Sequence, residues 1–534
     1  MKKLFSLFAL LFILSLEVAK AQGSLNQYKE MDSKMLDSYV SILKADEHGI
    51  IALKTKTKGV MLGAMVSMGV KAEVFIDQFD SDLNLVKSTF LYGYTFEVLN
   101  QVNNSVEFMY LSASGKLLLG SSTFENEVSK LILNQIDINS GKTTSSKVIY
   151  EAKGIDRRGT YRILSSTNSE NIGFFSHIGT DKKNYETSLL YGELSKDFDL
   201  IWSNTIVLPF FSKVSTSNIS NLATGEGEKY KDGVLLLPGG QFLFNFKIQE
   251  KDFKKSGRNE YYNTLFTLGR ESSSLQIKVL ANDNKEYIKD LGLLEEQDGS
   301  IVLVGTYGNE NNSVNQGRYF AKLDPKTMTL TNEKFTPFVE VERKNLILSF
   351  AKLFEFDPEK AQKDASKLDH ISYFTPKSLS LNSRGNVVLY SEFEQVLIVE
   401  ERTGVMVSKR LDVKGGDIYK QEFDTTGELI STEILSKNTY SPVGGFNRSF
   451  QLRKVEENDL LFYADESKSQ FFVEKIDPFG KITKRKLADM KEDKRYKGVW
   501  FTCYSDQLVN DRYLYAFVRD KFKQGLVKFD LASF

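Results

Sequence analysis

Asp459-Leu-Leu-Phe-Tyr463, followed by Phe471-Phe-Val-Glu-Lys-Ile-Asp477 and the turn Pro478-Phe-Gly480 before Lys481-Ile482, is the stretch that decides the fold. It reads as a short apolar strand, a polar link, a second apolar strand ending at an aspartate, a tight turn and a third strand. Such runs of four to eight apolar or alternating residues bounded by Gly, Pro and Asp are the pattern of paired strands. The same unit recurs at Gly115-Lys-Leu-Leu-Leu-Gly120 with Lys130-Leu-Ile-Leu-Asn-Gln-Ile-Asp137 and the turn to Gly141. It recurs again at Gly299-Ser-Ile-Val-Leu-Val-Gly305 with Arg318-Tyr-Phe-Ala-Lys-Leu-Asp324.

Weaker copies fill the intervals: Val74 to Asp80, Ile172 to Ser176 with Leu189 to Leu194, Gln241 to Phe246 with Thr264 to Leu268, Asn386 to Tyr390, and Tyr513 to Val518 with Gly525 to Asp530. Where copies adjoin, equivalent aspartates (Asp80 and Asp137; Asp424, Asp477 and Asp530) fall 57, 53 and 53 residues apart, and the expectation is about eight units over the chain. An Asp carboxylate can bond the backbone of its own turn, and Gly accepts the positive φ a tight turn needs. The sparse proline, eight in all, suits long paired strands.

At this level of repeats the chain resembles the β-propeller superfamily over essentially all of its length beyond the first 21 residues. The resemblance implies an all-β ring of about seven or eight four-stranded blades. Stacking sheets round an axis covers both faces of each, and closing the ring leaves only short edges. No named subfamily's motif is present: Trp-Asp is absent, and Trp202 and Trp500 are the only tryptophans. A fold of this kind does not by itself imply an activity.

One stretch departs from the pattern. From Glu340 to Asp369 the residues Leu346, Phe350, Leu353 and Phe354 recur at helical spacing, and Asp357-Pro358-Glu359 reads as an N-cap with proline in the first turn of a second helix. The expectation is a helical insertion over about 340–369. Were the chain instead two β domains, it would divide here.

The first residues predict export. Met1-Lys2-Lys3 is basic, Leu4 to Leu16 is almost unbroken apolar sequence, and Ala19-Lys20-Ala21 is a small-x-small cleavage signal. Residues 1–21 are therefore expected to be a signal peptide cleaved after Ala21, leaving 22–534 as the repeat domain in the periplasm or outside the cell. The apolar run falls short of the ~20 residues a spanning helix needs, and Gly59 to Val70, bracketed by Lys58 and Lys71, is shorter still and reads as buried strand. No integral membrane segment is expected after cleavage.

Of the 534 residues, 41% are hydrophobic and 26% charged, a globular balance. Acidic and basic residues are equal in number, and removing Lys2, Lys3 and Lys20 against Glu17 leaves the mature chain slightly acidic. That argues against nonspecific binding to nucleic acid. The single cysteine, Cys503, can form no internal disulfide, so stability must come from a large apolar core. Within Trp500-Phe-Thr-Cys-Tyr504 it reads as an inert buried thiol, with no histidine nearby to activate it.

The remaining motifs read as structure. Asn139-Ser-Gly-Lys-Thr143 contains the Gly-Lys-Thr of a phosphate loop, but Ile136 stands where the first Gly belongs and no helix follows. Asp80-Ser-Asp-Leu-Asn84 begins like a calcium loop and lacks its Gly and closing Glu; Asp197-Phe-Asp199 is weaker. His48, His177 and His370 are far apart and show no zinc spacing. No catalytic residue, cofactor or metal ligand is assigned. The leading expectation is a noncatalytic binding or scaffold propeller that presents loops to a protein or glycan. The alternative is a carbohydrate-active or other hydrolase with paired carboxylates at the funnel, drawn from several blades.

Overall fold

A computed structural model describes residues 25–31, 37–58, 70–96, 104–111, 116–125, 128–153, 160–165, 171–181, 186–209, 211–212, 233–249, 262–271, 276–280, 286–309, 315–353, 374–403, 406–441, 450–465, 470–489, 502–519 and 524–531. The leader at 1–21, most of Gly59 to Val70, Trp500 and His370 lie outside these residues.

Eight antiparallel sheets follow one another along the chain. Blade 1 is Asp37–Asp46, Gly49–Lys58, Val70–Asp80 and Leu85–Phe96; blade 2 is Asn104–Leu111, Lys116–Glu125, Val128–Asp137 and Thr143–Lys153; blade 3 is Thr160–Ser165, Ile172–Asp181, Glu186–Leu194 and Leu200–Leu208. In blade 4, Gln241–Gln249, Tyr262–Leu268 and Gln276–Val279 pair in turn, and Val234–Leu237 and Phe211–Ser212 share the remaining edge of Gln241–Gln249. Blade 5 is Glu286–Glu295, Ile301–Asn309, Gly317–Asp324 and Thr329–Pro337. After the helix α1, Glu340–Leu353, comes blade 6: Phe374–Leu381, Val387–Thr403, Met406–Phe423 and Leu429–Leu435, with Thr439–Ser441 added to the third strand. Blade 7 is Gln451–Val455, Asn458–Asp465, Gln470–Ile476 and Ile482–Asp489. Blade 8 takes Thr502–Val509, Tyr513–Arg519 and Gln524–Asp530 from the end of the chain, and its outermost strand, Leu25–Met31, from the beginning.

That borrowed strand closes the circle, and the packing agrees. Each pair of neighbouring blades shares its own apolar cluster. Between blades 8 and 1 it holds Tyr515 and Phe517 against Tyr39 and Ile50; between 7 and 8, Phe462 and Val473 against Ala516 and Phe529. Similar clusters join every other adjacent pair. The middle strands are covered on both sides, which is why Ile301 to Val304 and Leu460 to Tyr463 are continuously apolar and continuously buried. The outer strand Thr329–Pro337 is polar and largely exposed.

The aspartate turns are built as their chemistry dictates. At the ends of third strands, the carboxylate Oδ1 atoms of Asp80, Asp137, Asp424 and Asp477 accept backbone N–H groups from their own turns at 2.7–3.1 Å. Gly141, Gly427 and Gly480 supply the left-handed residue at φ 69°, 85° and 82°. Leu83 fills the equivalent place in blade 1 at φ 63°, buried in the core cluster next to blade 8.

The antiparallel run of each blade puts short turns at one end of the ring and the longer connections at the other. This loop face carries α1. It also carries an extension of blade 6: Val387–Thr403 pairs with the first strand only as far as Phe393, yet remains paired with Met406–Phe423 out to Thr403 opposite Met406. At ~3.3 Å per residue this ribbon projects roughly 30 Å past the blade. The helical insertion read from Leu346, Phe350 and Leu353 is present as α1, with those three residues buried. The second helix, at Asp357 to Glu359, lies outside the described residues. Across this point Val302 and Phe320 of blade 5 share an apolar cluster with Leu389 and Phe423 of blade 6.

Candidate functional site

The charged residues single out one sector of the ring. Among the described residues, every buried charged side chain except Asp77 and Glu193 belongs to blades 5 to 7, α1 or the segment that follows blade 6. Burying a charge is tolerated only where a partner and hydrogen bonds compensate it.

The helix supplies the first group. Glu342, in its first turn, accepts hydrogen bonds from the guanidinium of Arg318 in blade 5 and the phenol of Tyr419 in blade 6. Arg318 also lies over the Phe338 ring, 5.2 Å from its centroid. One turn from the other end of the helix, Ser349 Oγ donates to Asp417 Oδ2 at 2.8 Å and Lys352 Nζ to Asp417 Oδ1 at 2.7 Å. The apolar stripe of Leu346, Ile347, Phe350 and Leu353 packs on Phe393 between these two anchors. α1 is thus fastened at both ends by charge and in the middle by area.

The second group continues toward blade 7. The Lys437 ammonium, wholly buried, donates to Glu392 Oε1, and its backbone N–H donates to Asp417 Oδ1 at 3.2 Å. In blade 7 the Tyr463 phenol donates to Glu474 Oε1, and Lys484 reaches both. Burial, reinforced by the Glu474 carboxylate, pushes the Tyr463 phenol far above its ordinary pKa and keeps it protonated.

The third group lies nearer the turn face. Asp459 Oδ2 accepts the Tyr390 hydroxyl at 2.9 Å, and burial raises its pKa above the ordinary carboxylate value. Glu422 Oε1 gathers Asn382 (2.9 Å), Asn386 (2.7 Å) and Arg384 (2.8 Å). Chemically these groups hold shape: cations, phenols and carboxylates are spent on one another.

Most of the motifs read in the sequence stand outside this sector. Asn139 to Thr143 is the turn of a hairpin in blade 2, and Asp80 to Asn84 a turn in blade 1 whose carboxylate is occupied by Asp82 N, Asn84 N and Asn84 Nδ2. Asp197 pairs with Lys116 at 2.8 Å, which holds its pKa below the ordinary value. His48 is exposed at the first turn of blade 1, His177 lies in blade 3, and Cys503 lies in the first strand of blade 8. No group of His, Cys, Asp and Glu among the described residues could hold a metal ion, and no helix among them is long and apolar enough to cross a membrane.

No family model matches the chain, and no curated protein matches it. Solved structures do. Polysaccharide lyase Uly1 is similar at 12% identity over 82% of this chain and 94% of its own, with a TM-score of 0.37. The apocarotenoid oxygenase of Synechocystis is similar at 10% identity over 88% of this chain and 95% of its own, TM-score 0.32. A puromycin hydrolase is similar at 10% identity over 82% of this chain and 57% of its own, TM-score 0.31. Three different chemistries at such identities carry no functional argument.

Proposed function

We propose that the protein is an exported, noncatalytic propeller that binds a protein or glycan ligand through the loop face over blades 5 to 7. The observation that carries this reading is the projecting ribbon of blade 6 beside α1, which is packed on the same face, with the densest buried charge among the described residues in the same sector. A recognition surface needs elements that stand clear of the scaffold and a base that holds them still. Export rests on the leader read at residues 1–21.

The test is to replace residues 397–412 with Asn-Gly. Val396 and Val413 are directly opposed, so a two-residue turn rejoins the strands and leaves the ring and the pairing of Val413–Gly415 with Thr439–Ser441 intact. Binding to a panel of glycans and purified envelope proteins should fall by about tenfold or more at an unchanged melting temperature. Undiminished binding would contradict the proposal. The hydrolase reading has one observation in its favour, the raised pKa of Asp459. Release of reducing sugar from the glycan panel, abolished by Asp459→Asn, would replace the binding reading with that one.

A further inference from the structure

Between blade 5, blade 6 and α1, several deeply buried polar groups have no hydrogen-bond partner among the described residues: Thr306 Oγ1, Arg318 Nε, Ser391 Oγ, and both Oε1 and Nε2 of Gln421. Thr306, Ser391 and Gln421 have no exposed surface at all, and Arg318 is almost as enclosed.

Backbone register places them together. Thr306 lies opposite Arg318 in blade 5, on the strand face that continues into Val302, Val304 and Phe320 of the apolar cluster shared with blade 6. Ser391 lies opposite Tyr419 in blade 6, on the face that continues into Val387 and Leu389 of the same cluster, and Gln421 falls between Tyr419 and Phe423. Arg318 and Tyr419 meet across the joint at 3.5 Å. That contact sets the two in-blade pairs at the same level of the joint, with the shared apolar cluster toward the turn side and Glu342 of α1 bonded to both Arg318 and Tyr419.

We infer that this level of the joint is a built internal hydration site, holding ordered water molecules that bridge the two blades under α1. The chemistry selects water. Two hydroxyls and a primary amide can each donate and accept, and a guanidinium N–H donates, so the site asks for a small occupant that does both. The Arg318 charge is already met by Glu342, which leaves no excess charge to hold an ion. Buried water of this kind makes about three hydrogen bonds to groups that would otherwise go unmet. The site is independent of the ligand-binding proposal.

The experiment is a substitution series in the full chain, Thr306→Val, Ser391→Ala and Gln421→Leu, read by thermal melting and by a high-resolution crystal structure of the unsubstituted protein. A group satisfied by water destabilises when lost, because the water and its other partners are stranded; a group that is truly unmet stabilises when lost. Each single substitution should lower Tm by about 1–3 °C, with the triple substitution losing less than the singles added together. The crystal should show water about 2.7–3.2 Å from two or more of the named atoms. Higher Tm for each single variant would overturn the inference. So would side chains bonded to each other with no enclosed density, or density for an ion or a larger molecule.

Discussion

Between blades 3 and 4 the space is filled with rings: Phe175, Tyr191, Trp202, Phe242, Phe244 and Phe266. Phe244 stacks on Phe266 at 5.0 Å and meets Phe175 edge-on at 5.5 Å. Between blades 5, 6 and 7 the corresponding space is shared with Arg318, Glu342, Tyr419, Glu392, Lys437 and Asp417. Both joints close the same ring. The aromatic joint draws its stability from apolar area and ring geometry, which are forgiving of small shifts. The charged joint gives up some of that gain to desolvation, and each of its members has a partner only in one arrangement. The loop face is elaborated over the joint whose geometry is the more exacting.

The largest expected effect breaks one charge from its partner. Lys437→Ala leaves Glu392 buried and uncompensated, and chemical denaturation should show a loss of about 3–5 kcal/mol. The double variant Lys437→Met with Glu392→Leu should recover most of it; a double variant as unstable as the single would mean that size, not charge, governs this joint. In the aromatic joint the rule is reversed. Phe244→Leu should cost about 1–1.5 kcal/mol, Phe244→Ala more in proportion to the volume removed, and no substitution of a charged neighbour should rescue either.

A smaller effect separates the joints by pH. Asp459 has a folded pKa raised by burial, so the folded state favours its protonated form. Its contribution to stability is complete below the unfolded carboxylate pKa and is lost as pH rises through the raised folded value. Asp459→Asn, which keeps an acceptor for Tyr390, should flatten the decline of Tm on raising pH from about 4 to 7. Phe244→Leu should leave that slope untouched. The smallest effect lies outside both joints. Glu456, exposed and left-handed at φ 53° in the first turn of blade 7, should give about 0.5–1 kcal/mol when replaced by Gly, measured by the shift in denaturation midpoint.

The blades were legible because their middle strands bury both faces, so stretches such as Leu460 to Tyr463 and Phe471 to Val473 announce themselves as apolar runs. The aspartate turns were legible because Asp and Gly do work there that few other residues can do. The closing strand was not. Leu25–Met31 reads Leu-Asn-Gln-Tyr-Lys-Glu-Met and lacks an apolar run, since an outer strand has one face in solvent and its partner lies at the far end of the sequence. The charged sector was hidden for a different reason. Sequence records that Lys437 and Glu392 are charged but not that they meet inside the protein, 45 positions apart. A partial signal did exist in Ile418-Tyr-Lys-Gln-Glu-Phe423, where Lys420 and Glu422 alternate in register with the core residue Ile418 and therefore share its buried face.

Both joints depend on ring closure, and hydrogen exchange on the full chain tests it most directly. Amides of Leu25–Met31 facing Gln524–Asp530 should be protected as strongly as the inner strands of blade 8. Exchange of Leu25–Met31 at the rate of an unstructured peptide, with blades 2 to 7 still protected, would contradict it.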